Sequence, residues 1–265
     1  MINERHMSFT EAGEGFPVLM GHSYLFDRTM WTPQVEALSD SYRIIIPDLW
    51  GHGQSPTPPT TMRSLTDMAI THLQLMDSLG IEEFAVVGLS VGGMWGAELA
   101  ALAPDRVKAL MLLDTFVGSD TPEAQQRYAA MLNAVEASGA IQSPLLEYII
   151  SQFYSAYAMD NDVVSLKNNL TSLSAEKLRT SIVPIGRMIF NRQDRMAILD
   201  KITCPVYVAT GEFDLPRPPA EGKLMADRLN CDFTLLPYAG HISNREQPER
   251  VTMMIKTFLA QTIQV

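Results

Sequence analysis

Gly88-Leu89-Ser90-Val91-Gly92 decides the reading of this 265-residue chain. Before it runs Phe84-Ala85-Val86-Val87, a short apolar segment suited to a buried strand. After it, Gly93 to Ala103 reads as a helix. The pattern is G-x-S-x-G on a strand-to-helix turn. Such a turn strains the serine backbone and leaves its hydroxyl exposed. The flanking glycines give the turn room. The helix N-terminus behind the serine offers free N–H groups and a positive dipole end to a developing oxyanion.

A nucleophilic serine needs a base, and the base needs an orienting acid. The histidines are His6, His22, His52, His72 and His241. His241 follows the apolar run Phe233-Thr234-Leu235-Leu236 and precedes a closing helix from Arg245 to Leu259. The favoured acid is Asp214, just after the strand-like Val206-Tyr207-Val208-Ala209. Asp114, at the end of another apolar run, is the alternative. Glu212 reads as a solvated or hinge residue. The chain order Ser90, Asp214, His241 places each member after a predicted strand, the edge where parallel sheets gather their sites.

These residues make the chain resemble the α/β-hydrolase-fold superfamily, in its small single-domain serine-hydrolase group. The resemblance runs over nearly the whole length. Pro47-Asp48-Leu49-Trp50-Gly51-His52-Gly53-Gln54-Ser55 is similar to the family's D-x-x-G-x-G-x-S turn. The elbow, Gly88 to Gly93 with Met94, is similar to that of 3-oxoadipate enol-lactonases. Ala239-Gly240-His241 matches the family's C-terminal G-H. The resemblance implies an α/β fold with a mostly parallel sheet, helices on both faces and an all-helical cap. It implies oxyanion donors at the backbone N–H groups of Val91 and Tyr24. His22-Ser23-Tyr24 fills the usual H-G-x places, with Ser23 where glycine is common. Trp50 departs too, where arginine is common, and reads as surface packing.

Composition agrees with an enzyme of this kind. Apolar residues make up 46% of the chain, and the formal charge is −10 with a pI near 4.9. An acidic surface argues against nucleic acid and against anionic membranes. No apolar run approaches the roughly 18 residues of a membrane span. The stretch Met1 to His6 lacks a signal-peptide core. Cys204 and Cys231 read as free buried thiols, so the cytoplasm is the expected compartment. No zinc spacing and no glycine-rich nucleotide loop is present, so neither metal nor cofactor is expected.

Strands are expected around His6 to Thr10, Pro17 to Met20, Tyr42 to Ile46 and Val107 to Leu113. Helices are expected over Trp31 to Ser39 and from Ser64 to Leu79. The core is then 1–113 and 201–265. Residues 114–200 form the cap, inserted after the family's sixth strand. Its helices are expected at Pro122 to Ser138, Leu145 to Tyr157, Asp162 to Leu173 and Ala175 to Phe190. His22, Tyr154 and Met188 are expected near substrate, His22 by supporting the oxyanion loop. His52 has a structural role, and His72 reads as a surface or satisfied core residue. Arg187 reads as a cap salt bridge rather than a substrate contact.

The implied activity is hydrolysis of a carboxylic ester or lactone of small to medium, largely apolar character. A C–C hydrolase of a diketone is the alternative, weakened because Leu89 stands where those relatives carry asparagine. A ligand receptor on the same fold is the alternative outside catalysis. A histidine base predicts a rate rising with pH through a group near 6 to 7.

Overall fold

A computed structural model describes residues 7–263. Seven strands form one sheet: β1 (Phe9–Ala12), β2 (Phe16–Gly21), β3 (Tyr42–Pro47), β4 (Phe84–Leu89), β5 (Val107–Leu113), β6 (Val206–Gly211) and β7 (Asp232–Leu236). Their order is β1-β3-β2-β4-β5-β6-β7. Only β1 runs antiparallel to its neighbour. Every residue of β4 is buried, because helices cover the sheet on both sides there. This is the α/β-hydrolase fold.

The topology fixes where a site can form. From β2 the chain passes to β3 on one side; from β4 it passes to β5 on the other. The ends of β2 and β4 therefore flank the point where the winding reverses, and a crevice opens there. Register brings the strand ends together, with Gly21 opposite Gly88, Leu89 opposite Leu113 and Gly211 opposite Leu236. The loops after β2, β4, β5, β6 and β7 thus share one edge.

The first strand starts at Phe9, later than expected, and runs on past Thr10 through Glu11 and Ala12. The readings placed on Met1 to His6 lie outside the described residues. Trp31 ends a 3-10 turn (Arg28–Trp31) before the helix Thr32–Leu38. Ser64 caps the helix Leu65–Ser78 by accepting a hydrogen bond from the Asp67 N–H. Trp50 is buried rather than superficial, with its indole N–H donated to Thr71 Oγ1 at 3.3 Å.

Between β5 and β6 the chain is helical: Pro122–Ser138, Leu145–Phe153, Asp160–Ser172, Ala175–Lys177 and Val183–Phe190. The second of these stops at Phe153, short of Tyr157. Tyr154 turns extended and carries Ser155 onto Glu246, whose carboxylate takes the Ser155 N–H and hydroxyl. The last expected helix is interrupted by a wider π turn, Leu178–Ile182. Pro184 accounts for it. Proline brings no N–H, and its ring clashes with the carbonyl four residues back in a regular helix. The Val183 N–H reaches back five residues to the Leu178 carbonyl instead. Among the described residues no helix is long and apolar enough to cross a membrane.

Candidate active site

Ser90 follows β4 and precedes the helix Val91–Leu102, with φ 59° and ψ −122°. A non-glycine residue held there costs of order 1–3 kcal/mol. Several hydrogen bonds hold it. Its N–H donates to the Leu113 carbonyl at 2.9 Å. Its own carbonyl takes the Gly93 N–H at 2.9 Å, the Met94 N–H at 3.1 Å and the Thr115 hydroxyl at 2.6 Å. The two motif glycines are forced by close approach. A Cβ on Gly88 would lie 2.3 Å from the Gly92 oxygen, and one on Gly92 would lie 2.2 Å from the Gly21 oxygen.

The loops after β6 and β7 bring Asp214 and His241 to this serine. His241 Nε2 lies 2.8 Å from Ser90 Oγ. His241 Nδ1 lies 2.9 Å from both carboxylate oxygens of Asp214. Asp214 Oδ1 also accepts the Arg217 N–H at 2.9 Å. All three side chains are buried. Burial pushes His241 down to about 4, so its ring is neutral at pH 7. That is well below the 6 to 7 expected from the sequence. Burial also pushes Asp214 up, opposed by the Arg217 N–H and guanidinium.

Asp114 also lies at this edge but faces other partners. Its carboxylate takes the Gly211 N–H at 2.7 Å and the Ser243 hydroxyl. It ties the ends of β5, β6 and the His241 loop together and makes no hydrogen bond to the imidazole.

His22 and Tyr24 shape the loop after β2. The Leu49 N–H donates to His22 Nε2 at 2.8 Å, which forces the proton onto Nδ1. Nδ1–H then donates to the Ser23 carbonyl at 2.8 Å. In a trans peptide the N–H points opposite the carbonyl. Holding the Ser23 carbonyl therefore fixes the direction of the Tyr24 N–H. Among the described residues neither the Tyr24 nor the Val91 N–H has a hydrogen-bond partner. The Tyr24 phenol donates to the Ile182 carbonyl at 2.8 Å, inside the π turn. Gly186 permits this, since a Cβ there would lie 2.5 Å from the phenol oxygen.

A cavity meets Ser90 and His241, with about 100 Å³ of space for the centre of a water-sized sphere. Met94 and Tyr24 line it near the serine. Leu132, Val135, Leu145 and Ile149 supply apolar walls from the helices between β5 and β6, and Ile141 from the loop joining two of them. Of the three residues expected near substrate, His22 holds the loop after β2 by hydrogen bonds from its ring, as expected, and the other two do not line this cavity. Tyr154 packs edge-on against Phe26, 6.3 Å between ring centroids, and does not line the cavity. Met188 lines a separate outer groove with Arg63 and Glu98, because Ile185 and Ile189 take the inward face of that helix.

Sequence reasoning missed two cavity residues, Arg192 and Arg217, both buried and joined through Asp120. Phe153 also lines the cavity. The Phe153 carbonyl accepts the His241 N–H at 3.0 Å, and its ring lies 5.6 Å from the imidazole. Arg187, singled out as a cap salt bridge, pairs with Glu136 at 2.6 Å. His72 is a core residue stacked on Trp95 at 3.7 Å. Cys204 and Cys231 are free and half-buried. Among the described residues no cluster of three His, Cys, Asp or Glu side chains is placed to hold a metal.

Residues 17–140 match the family model described as alpha/beta hydrolase fold. A thermophilic esterase from Thermogutta terrifontis superposes with a TM-score of 0.87 at 30% identity, over 97% of this chain and 94% of that one. The 3-oxoadipate enol-lactonase 1 of Acinetobacter baylyi is 25% identical over 245 residues, 91% of this chain and 88% of that protein. A protein named for carbamate hydrolysis, RutD of Stutzerimonas stutzeri, is 26% identical over 237 residues, 87% of this chain and 86% of its own length. The chain belongs to the α/β-hydrolase superfamily. Within it, it resembles the 3-oxoadipate enol-lactonases.

Proposed function

We propose that this protein is a serine hydrolase of carboxylic esters or lactones of small to medium, largely apolar character, working through an acyl-serine intermediate. The observation that carries the reading is the run of hydrogen bonds from Asp214 through His241 to Ser90 at the wall of an apolar cavity. Neutral His241 takes the Ser90 proton as the hydroxyl attacks the acyl carbon. Asp214 holds the proton on Nδ1 and stabilises the imidazolium that forms. The backbone N–H groups of Val91 and Tyr24 receive the oxyanion, each contributing about 3–4 kcal/mol by analogy with other acyl-transfer enzymes. His241 then protonates the leaving alcohol and activates the water that releases the acid. Residues 114–200 act as the cap, and their apolar side chains choose the acyl group. The names of the relatives, an esterase and an enol-lactonase, support the substrate class.

The test is a panel of short esters, lactones and carbamates, run on the wild type and on Ser90→Ala. Ester or lactone turnover that disappears in the folded variant supports the proposal. A wild type that binds but never cleaves them points to a receptor. Turnover surviving in Ser90→Ala removes the serine mechanism.

A further inference from the structure

The loop that carries His241 is held from a distant part of the chain. Tyr238, three residues before the imidazole, sits at φ 59°, a conformation that persists in a non-glycine residue only where its surroundings fix it. The Gly240 N–H donates to Glu246 Oε1 at 2.8 Å. The His241 and Ile242 N–H groups donate to the Phe153 carbonyl at 3.0 and 3.3 Å. Phe153 ends the helix Leu145–Phe153, between β5 and β6.

Glu246 joins the two regions. The short helix Ser243–Glu246 turns the chain back, so this carboxylate reaches the residue before His241. Its Oε2 accepts the Ser155 N–H at 3.1 Å and the Ser155 hydroxyl. Three donors thus converge on a group that only accepts when ionised. Burial pushes the Glu246 carboxyl up, and these donors oppose it. The approach is close. A Cβ on Gly240 would lie 2.8 Å from the Ser155 nitrogen and 2.9 Å from Glu246 Oε1. Ser155 Oγ also accepts the Tyr157 N–H at 3.1 Å. The Tyr157 ring then packs against Tyr238 and against Phe213, the neighbour of Asp214, at 5.1 and 5.6 Å between centroids.

We infer that Glu246 is a positioning residue that makes the placement of His241 depend on the seating of residues 153–155. The imidazole is aligned with Ser90 while that segment is docked on Glu246 and on the loop after β7. When the segment lifts, the His241 N–H loses its acceptor, Glu246 loses two of its three donors, and the strained loop is released. Gln152 and Phe153 line the cavity, so opening of this wall and withdrawal of the base are one event. The inference rests on the reading of His241 as the base that serves Ser90.

The experiment measures kcat and KM separately on the best ester of the panel for the wild type, Glu246→Ala, Glu246→Gln and Asp162→Asn, each shown to be folded by circular dichroism. Glu246→Ala should lower kcat by about tenfold to a hundredfold with little change in KM, the cost of a base displaced by about an ångström. Glu246→Gln should lose less. Its amide oxygen can keep the Gly240 N–H and its NH2 can donate to Ser155 Oγ, which leaves only the Ser155 N–H unpaired. Asp162→Asn removes the charge that pairs with Arg245 between the same two regions and touches none of the hydrogen bonds to Glu246. It should leave kcat unchanged. A kcat unchanged in folded Glu246→Ala, a change confined to KM, or an equal loss of kcat in Asp162→Asn overturns the inference. If the wild type cleaves no ester or lactone, the serine-hydrolase reading fails instead. The positioning is then judged by amide exchange: deuterium uptake over residues 239–242 should quicken in Glu246→Ala, and unchanged uptake there overturns it.

Discussion

Replacing Asp214 by asparagine tests the site at the atom that sets its protonation. Asp214 Oδ1 accepts the Arg217 N–H at 2.9 Å, and both carboxylate oxygens lie 2.9 Å from His241 Nδ1. In the variant, one oxygen becomes an NH2 group. If the amide oxygen keeps the Arg217 N–H, the NH2 donates to Nδ1. The ring proton then moves to Nε2 and points at Ser90, and the base is gone. If the amide flips, its NH2 faces the Arg217 N–H, two donors in a buried site. That arrangement is disfavoured by about 1–3 kcal/mol, the cost of a buried unsatisfied donor. The wrong tautomer therefore dominates by roughly 5- to 150-fold. Loss of the anion that stabilises imidazolium adds to this, and a total loss of about 10⁴ in kcat is expected. Stability should hold, because an amide is an uncharged isostere of a carboxylate that burial already disfavours.

The control is Asp114→Asn. At φ 48° asparagine is tolerated better than most residues. Its amide oxygen can keep the Gly211 N–H, and its NH2 can donate to Ser243. Its kcat should stay within about tenfold of wild type, since it leaves the hydrogen bonds of His241 intact. Both variants would be assayed on the best ester of the panel, with folding followed by circular dichroism and thermal melting. A larger loss in Asp114→Asn than in Asp214→Asn would refute the assignment of the acid. So would near-wild-type turnover in folded Asp214→Asn.

Three further expectations follow from the same geometry. Tyr24→Phe removes the phenol bond to the Ile182 carbonyl and should cost about 1–3 kcal/mol of stability; it should also lower kcat more than it raises KM, and an unchanged kcat would separate the phenol from the oxyanion loop. Burial holds His241 near 4, and only the neutral ring is a base, so kcat/KM should be flat at neutral pH and fall as pH drops through about 4 to 5; an acid limb centred at 6 to 7 contradicts that burial effect. Neutral esters of two to sixteen carbons should peak at short chains, because Leu132, Val135, Leu145 and Ile149 wall in the cavity that meets Ser90; a peak at the long end, or activation at an oil–water interface, disproves it.

What could be read from the sequence was local. The elbow is a run of neighbouring residues, and its glycines are required by contacts within a few ångströms of Ser90. Asp214 and His241 could be read as candidates because each follows a strand, and the sheet delivers such ends to one edge. The choice between Asp214 and Asp114 was not local, since both end strands. Ser243, 129 residues from Asp114, and Gly211, 97 residues away, occupy the Asp114 carboxylate and leave Asp214 for the imidazole. The helices between β5 and β6 hid more. They carry apolar residues on several sides, so their periodicity could not say that Ile185 and Ile189 face inward while Met188 faces out. Arg187 was legible as a cap salt bridge, but not its partner, Glu136, 51 residues away. Arg192 and Arg217 carried no mark. They matter because Asp120, 72 residues before one and 97 before the other, gathers both into the cavity wall. The same contacts moved the expected titration of His241. An imidazole on an open loop would titrate near its ordinary value. Here burial dominates and holds the imidazole neutral well into the acid range.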